Sequence, residues 1–151
     1  MTGRDSRSRL GATPLSRWVS ALLLAASSAL LAVGVQLDAD RSGYGTHVQL
    51  GLPPCGFLAS CGVPCATCGM TTAFTHAVHG SLLAALVVQP TGALFALLVA
   101  IVAIVSGYAL ICGVCLAPLG HWLWRPRSAL LLGAIVVGSW AYKIFVVSSQ
   151  S

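Results

Sequence analysis

Three stretches of this chain run for about twenty residues with almost no charge, and they restrict it more than anything else in the sequence. The first is Trp18 to Leu37, the second Thr91 to Cys112, and the third covers 128–147, where the one charge, Lys143, lies near the end. A helix rises 1.5 Å per residue, so each run gives about 30 Å, the thickness of a hydrocarbon core. A soluble domain needs about 25% charged residues to cover its surface. This chain has 7% charged and 57% hydrophobic residues. The expected fold is therefore an all-α membrane protein with three transmembrane helices. The first run also resembles a cleaved signal peptide, but its apolar core exceeds the ordinary 7–15 residues, which favours a retained helix.

The net charge of +5 comes from residues flanking the apolar runs, with Arg4, Arg7, Arg9 and Arg17 set against Asp5 in a basic arm over 1–17. No basic patch is interleaved with aromatics, so the lipid bilayer, not nucleic acid, is the expected partner. Residues 70–89 place Met70, Ala73, Phe74, Ala77, Val78, Leu82, Ala85 and Leu86 at helical spacing, with Thr72, Thr75, His76 and His79 on the opposite face. Pro90 ends that pattern. A fourth span there would need a very tight hairpin at Pro90. It would also move Arg125 and Arg127 to the side opposite the N-terminal arm. The positive-inside rule favours three spans at 18–37, 90–112 and 128–147, with 70–89 as an amphipathic interfacial or re-entrant helix. The loop 113–127, bearing Trp122 and Trp124, then joins the N-terminus in the cytoplasm, and the location is the bacterial inner (cytoplasmic) membrane. Ala103-x3-Gly107 and Ala134-x3-Gly138 are small-residue faces through which a membrane-protein partner would pack.

The segment 38–69 lacks helical or strand periodicity and ends in Cys55, Cys61, Cys65 and Cys68, crowded among glycines and prolines. In this topology it is an extracytoplasmic Cys-rich loop. Loops this long are usually functional, stapled or disordered, and four cysteines point to stapling or ligation. Three readings stay open. The first is a structural disulfide among the four, favoured by an oxidising compartment. The second is a thiol–disulfide exchange pair, Cys65 and Cys68, the latter turned toward thiolate by the start of the following helix. The third is metal, with zinc as the ion and Cys55, Cys61, Cys65, Cys68, His76 and His79 as candidate ligands. A straight helix from Met70 carries His76 and His79 about 10–15 Å from the cysteines, which weakens a Cys2His2 set. Cys112 and Cys115 would lie a bilayer away, as packing residues or lipidation sites. No nucleophile elbow, phosphate loop, H-E-x-x-H or paired carboxylates occur in the sequence.

The run Cys55-Gly-Phe, then Gly62-Val-Pro-Cys-Ala-Thr-Cys-Gly-Met-Thr-Thr-Ala-Phe, then His79-Gly and Gln89-Pro90, resembles a family of short bacterial membrane proteins known only as domain of unknown function 2752. The likeness covers about a third of the chain. Gly56 and Ala66 stand where that family has proline, and Thr72 where it has arginine. The resemblance implies a multi-span membrane protein with a cysteine motif and no established activity. A small integral membrane protein follows, a structural, assembly or interaction component with a disulfide- or metal-stapled cysteine cap rather than an enzyme. The alternatives are a membrane thiol–disulfide oxidoreductase and a metal-binding membrane protein.

Overall fold

A computed structural model describes residues 13–114 and 126–148. The described residues form helices and no strand. In chain order they are α1 (Pro14–Gln36), a 3-10 turn (Thr46–Leu50), α2 (Gly56–Cys61), α3 (Met70–Val78), α4 (Leu82–Val88), α5 (Pro90–Cys112) and α6 (Pro126–Ser148). The arm with Arg4, Arg7 and Arg9, and the segment with Cys115, Trp122, Trp124 and Arg125, lie outside the described residues.

Both long central helices start on proline, whose missing N–H costs nothing in a first turn. Thr13 caps α1 by accepting the Ser16 N–H at 3.2 Å. Gly113, at φ 65°, closes α5. α1 and α5 are long and apolar enough to cross a membrane. Only 17% and 22% of their most apolar windows are buried, whereas the core helix of a soluble protein would hide such a surface. Leu22, Ile104 and Ile111 all face outward. The apolar stretch of α6, Leu130–Val146, is shorter. Among the described residues two helices, rather than the expected three, are thus long and apolar enough for a full span.

α1 and α5 run antiparallel: Ala21 lies near Leu110 at one end, Leu24 beside Gly107 further along, and Leu30 and Val33 share a cavity wall with Phe95 at the other. α3 is wedged between them. A Cβ on Gly34 would come within 2.6 Å of the Phe74 ring, and one on Gly92 within 2.8 Å of both the Ala73 Cβ and the Met70 carbonyl. These two glycines let three helices meet at the cysteine end of the fold. The small-residue pairs take no part in this approach: Gly107 makes only an ordinary contact with Leu24, and Gly138 has no neighbour within 4 Å.

Residues 70–89 differ from expectation in two ways. They form two helices broken at Gly80, whose φ of 81° ends α3 as Ser81 N–H donates back to His76 O at 2.8 Å. With nine and seven residues, about 13 and 10 Å, neither α3 nor α4 can span a bilayer. In addition, α3 is not half wet. Thr72, Ala73, Phe74 and Thr75 are all buried, Ala73 and Phe74 against the neighbouring helices and Thr72 against Thr46 of the loop over 38–69.

α6 packs little helix surface on its neighbours but sends four polar side chains, from little more than one turn, to the cap and to the junction of α4 and α5. Ser139 Oγ accepts the Thr91 N–H at 3.3 Å. Trp140 Nε1 donates to Pro64 O at 3.1 Å, and Tyr142 OH to Val87 O at 3.0 Å. Lys143 Nζ donates to Gly43 O at 3.2 Å and Val88 O at 3.1 Å. A lysine near the end of an apolar run can snorkel to the headgroups, but Lys143 turns inward and is 4% exposed.

Candidate metal centre

The loop before the cysteines is ordered by its own polar groups. Asp38 and Gln49 exchange two bonds, Asp38 N–H to Gln49 Oε1 at 3.1 Å and Gln49 Nε2 to Asp38 O at 2.7 Å. Asp40 Oδ1 accepts both the Ser42 N–H and the Ser42 hydroxyl, which lowers the Asp40 pKa. Thr46 Oγ1 accepts the Asp40 N–H at 3.0 Å and pairs with Thr72 Oγ1 at 2.8 Å, tying the loop to α3. Pro53 and Pro54 then lead the chain into Cys55, the N-cap residue of α2. After α2 the chain turns at Gly62 and again at Cys65–Cys68, where Cys68 N–H donates to Cys65 O at 3.0 Å. Gly69 follows at φ 87°, with Gly43 O 2.6 Å from where a Cβ would stand.

This path brings three sulfurs together. The Sγ atoms of Cys55, Cys65 and Cys68 lie within 4.8 Å of one another. Cys61, at the far end of α2, is exposed and outside the cluster. His76 and His79 also stay apart, as helical rise requires, and His79 Nδ1 instead meets Thr75 O at 2.8 Å. The disulfide expected among the four cysteines is absent: Cys55, Cys61, Cys65 and Cys68 are all free, and so is Cys112 at the other end of α5. The sulfurs of Cys55, Cys65 and Cys68 stand as a triangle rather than as a bonded pair, and Cys61 lies apart from them.

The three thiols are unequal. The Cys55 pKa falls from 9.0 to about 7, mainly because the Leu58 N–H in the first turn of α2 donates to its sulfur. Burial opposes this, and the side chain and backbone of Cys65 and the Phe57 N–H add to it. Cys68 moves the other way, to about 11, first through burial and then through the negative charge of Cys55 and Cys65. The Lys143 ammonium offsets part of that rise. The expected thiolate at Cys68 is therefore not what its surroundings favour. The helix amides that stabilise a thiolate belong to α2 and reach Cys55.

Beside the triangle opens a cavity of about 460 Å³. Leu30, Val33 and Phe95 form apolar wall, and His47 and Met70 join the cysteines along it. His47 Nε2 lies 3.2 Å from Pro53 O. Sequence reasoning singled out neither His47 nor Met70 for this site. A lone histidine in a Gly-rich loop carries no spacing signal, and Met70 reads simply as the first apolar residue of a helix.

Three thiolates at one point form a ligand set for a soft or borderline ion such as zinc or monovalent copper. Zn–S bonds of about 2.3 Å place tetrahedral sulfurs about 3.8 Å apart, so a spread within 4.8 Å needs only a small contraction. The residues present fit a metal with three protein ligands.

No curated protein and no solved structure matches the chain. Residues 55–103, which hold the cysteine triangle, α3, α4 and the first half of α5, match the family described as "Protein of unknown function (DUF2752)", and in this part the chain is similar to that family.

Proposed function

We propose that this chain is a small integral membrane protein whose cap is held together by one metal ion at Cys55, Cys65 and Cys68, acting as a structural or assembly component rather than an enzyme. The observation that carries the reading is the convergence of three free sulfurs from two separate turns within 4.8 Å. In this reading α1, α5 and α6 cross the bacterial inner membrane, the N-terminus is cytoplasmic, and the α3–α4 pair is re-entrant with the cap outside. The exposed apolar faces of α1 and α5 and the shortness of α3 and α4 support it. The ion would tie the start of α2 to the turn before α3, stabilising a loop that otherwise rests on a few hydrogen bonds. Thiol exchange by Cys65 and Cys68 has less support, because Cys68 is 5% exposed and its surroundings favour the protonated thiol.

The test is metal content of the full-length protein, purified in detergent and loaded with Zn2+ under reducing conditions. One tightly held ion is expected, lost in Cys55→Ser, Cys65→Ser and Cys68→Ser. Cys61→Ser, His76→Ala and His79→Ala should keep it. A wild type that retains no ion after gel filtration, or an ion that depends on Cys61 or His76, would sink the reading.

A further inference from the structure

The last membrane helix delivers a buried cation to this site, and among the described residues no carboxylate meets it. Lys143 is 4% exposed, and its Nζ lies 3.1 Å from where a Cβ on Gly69 would stand, one residue beyond Cys68. Its hydrogen bonds go to the carbonyls of Gly43 and Val88, and the Tyr44 ring lies 5.9 Å away. The chain has three acidic residues. Asp40 is engaged by Ser42, Asp38 is exposed, and Asp5 lies outside the described residues. Carbonyl dipoles stabilise an ammonium only in part, and an isolated buried charge is costly unless an opposite charge faces it. The sulfur triangle supplies that charge when loaded, because three thiolates around a divalent ion carry one net negative charge.

We propose that Lys143 is the counter-charge of the metal–thiolate centre, a positioning residue through which metal loading and docking of α6 onto the cap stabilise each other. The proposal rests on the metal reading above. The ammonium lies at Gly69, the neighbour of Cys68, whereas His47 and Met70 line the cavity with the cysteines. Gly69 is required for this approach: a side chain there would meet Gly43 O as well as the ammonium. Linkage is reciprocal, so whatever α6 contributes to metal affinity, the metal returns to α6.

Two measurements on the full-length protein in nanodiscs, with Zn2+ as the probe, test this. The first compares zinc affinity in wild type and Lys143→Gln, which keeps a donor for the carbonyls and removes the charge. A loss of ~10–100-fold is expected, as for other groups behind a metal ligand. The second follows hydrogen exchange of the α6 amides over 139–148, which should slow on adding zinc to wild type and not in Lys143→Gln. A lysine that only props up the fold would lower the stability of the metal-free protein and leave zinc affinity unchanged, and that result overturns the proposal. So does a wild type that binds zinc with no change in α6 exchange. The wild-type half of the exchange measurement stands even if the variant fails to fold. A wild type that binds no zinc at all brings down the metal reading itself.

Discussion

The hydroxyls of Thr46 and Thr72 lie 2.8 Å apart with both side chains fully buried, joining the loop before the cysteines to the helix after them. Thr46 Oγ1 also accepts the Asp40 N–H, so the contact is a short chain of three groups. Thr72→Val leaves one buried hydroxyl short of a partner, and Thr46→Val strands the Asp40 N–H as well. Each single change should cost about 1–3 kcal/mol, with Thr46→Val the more severe. The double variant should cost less than the sum, because both unpaired ends are then gone. Denaturant unfolding of the four proteins in detergent checks the cycle, and strict additivity would mean that the two hydroxyls do not interact.

Gly92 and Gly138 provide a paired test of helix packing. Alanine at Gly92 places a methyl 2.8 Å from the Met70 carbonyl, a backbone atom that cannot move aside cheaply. A loss of about 1–3 kcal/mol follows from such overpacking. Alanine at Gly138 meets nothing within 4 Å and should be neutral, or stabilising by up to ~1 kcal/mol through helix propensity. Thermal midpoints of the two variants read the difference directly.

Thiol reactivity should follow the environments of the sulfurs. In the metal-free protein Cys55, at about 7, is about half thiolate at neutral pH, whereas Cys68, at about 11 and buried, is almost wholly thiol. Mass-spectrometric mapping after brief iodoacetamide treatment at pH 7 should find Cys55 modified well before Cys68. Zinc should protect both. Cys68 labelled first would overturn this order.

The same shifts set a pH dependence of stability in the metal-free protein. Cys55 is lowered from 9.0, so its contribution is present above about pH 9 and is lost as pH falls through about 7. Cys68 is raised from 9.0, so its contribution is present below about pH 9 and is lost as pH rises through about 11. Chemical denaturation across pH 6–11 should therefore show an alkaline limb of destabilisation, absent in Cys68→Ser, and an acid-side limb, absent in Cys55→Ser.

Trp140 tests whether α6 is held by polar contacts. Trp140→Phe keeps an aromatic ring but removes the donor to Pro64 O, next to Cys65. The expected cost is about 0.5–1.5 kcal/mol, or more if the carbonyl is left without water. Limited proteolysis near 126–148 should quicken in the variant, and an unchanged cleavage rate would place the attachment of α6 elsewhere.

The helical class and the two long apolar helices were legible in the chain by itself, because a charge-free run of twenty residues has few other ways to satisfy its backbone. The cysteine segment was legible as a candidate site for a local reason: four thiols crowded among glycines and prolines. Which of those thiols meet was not legible. By spacing Cys61 is as good a candidate as Cys55, and only the direction of α2 sets it apart. The break at Gly80 was hidden too, since the apolar spacing runs through it and nothing local marks its positive φ. The contact that buries Thr72 comes from Thr46, on a loop more than twenty residues earlier, which periodicity cannot report. Lys143 illustrates the same limit most clearly. Near the end of an apolar run it reads as a headgroup anchor, and only the packing of α6 against Gly43 and Gly69 turns it inward, because the glycine leaves room for an ammonium beside the sulfur cluster.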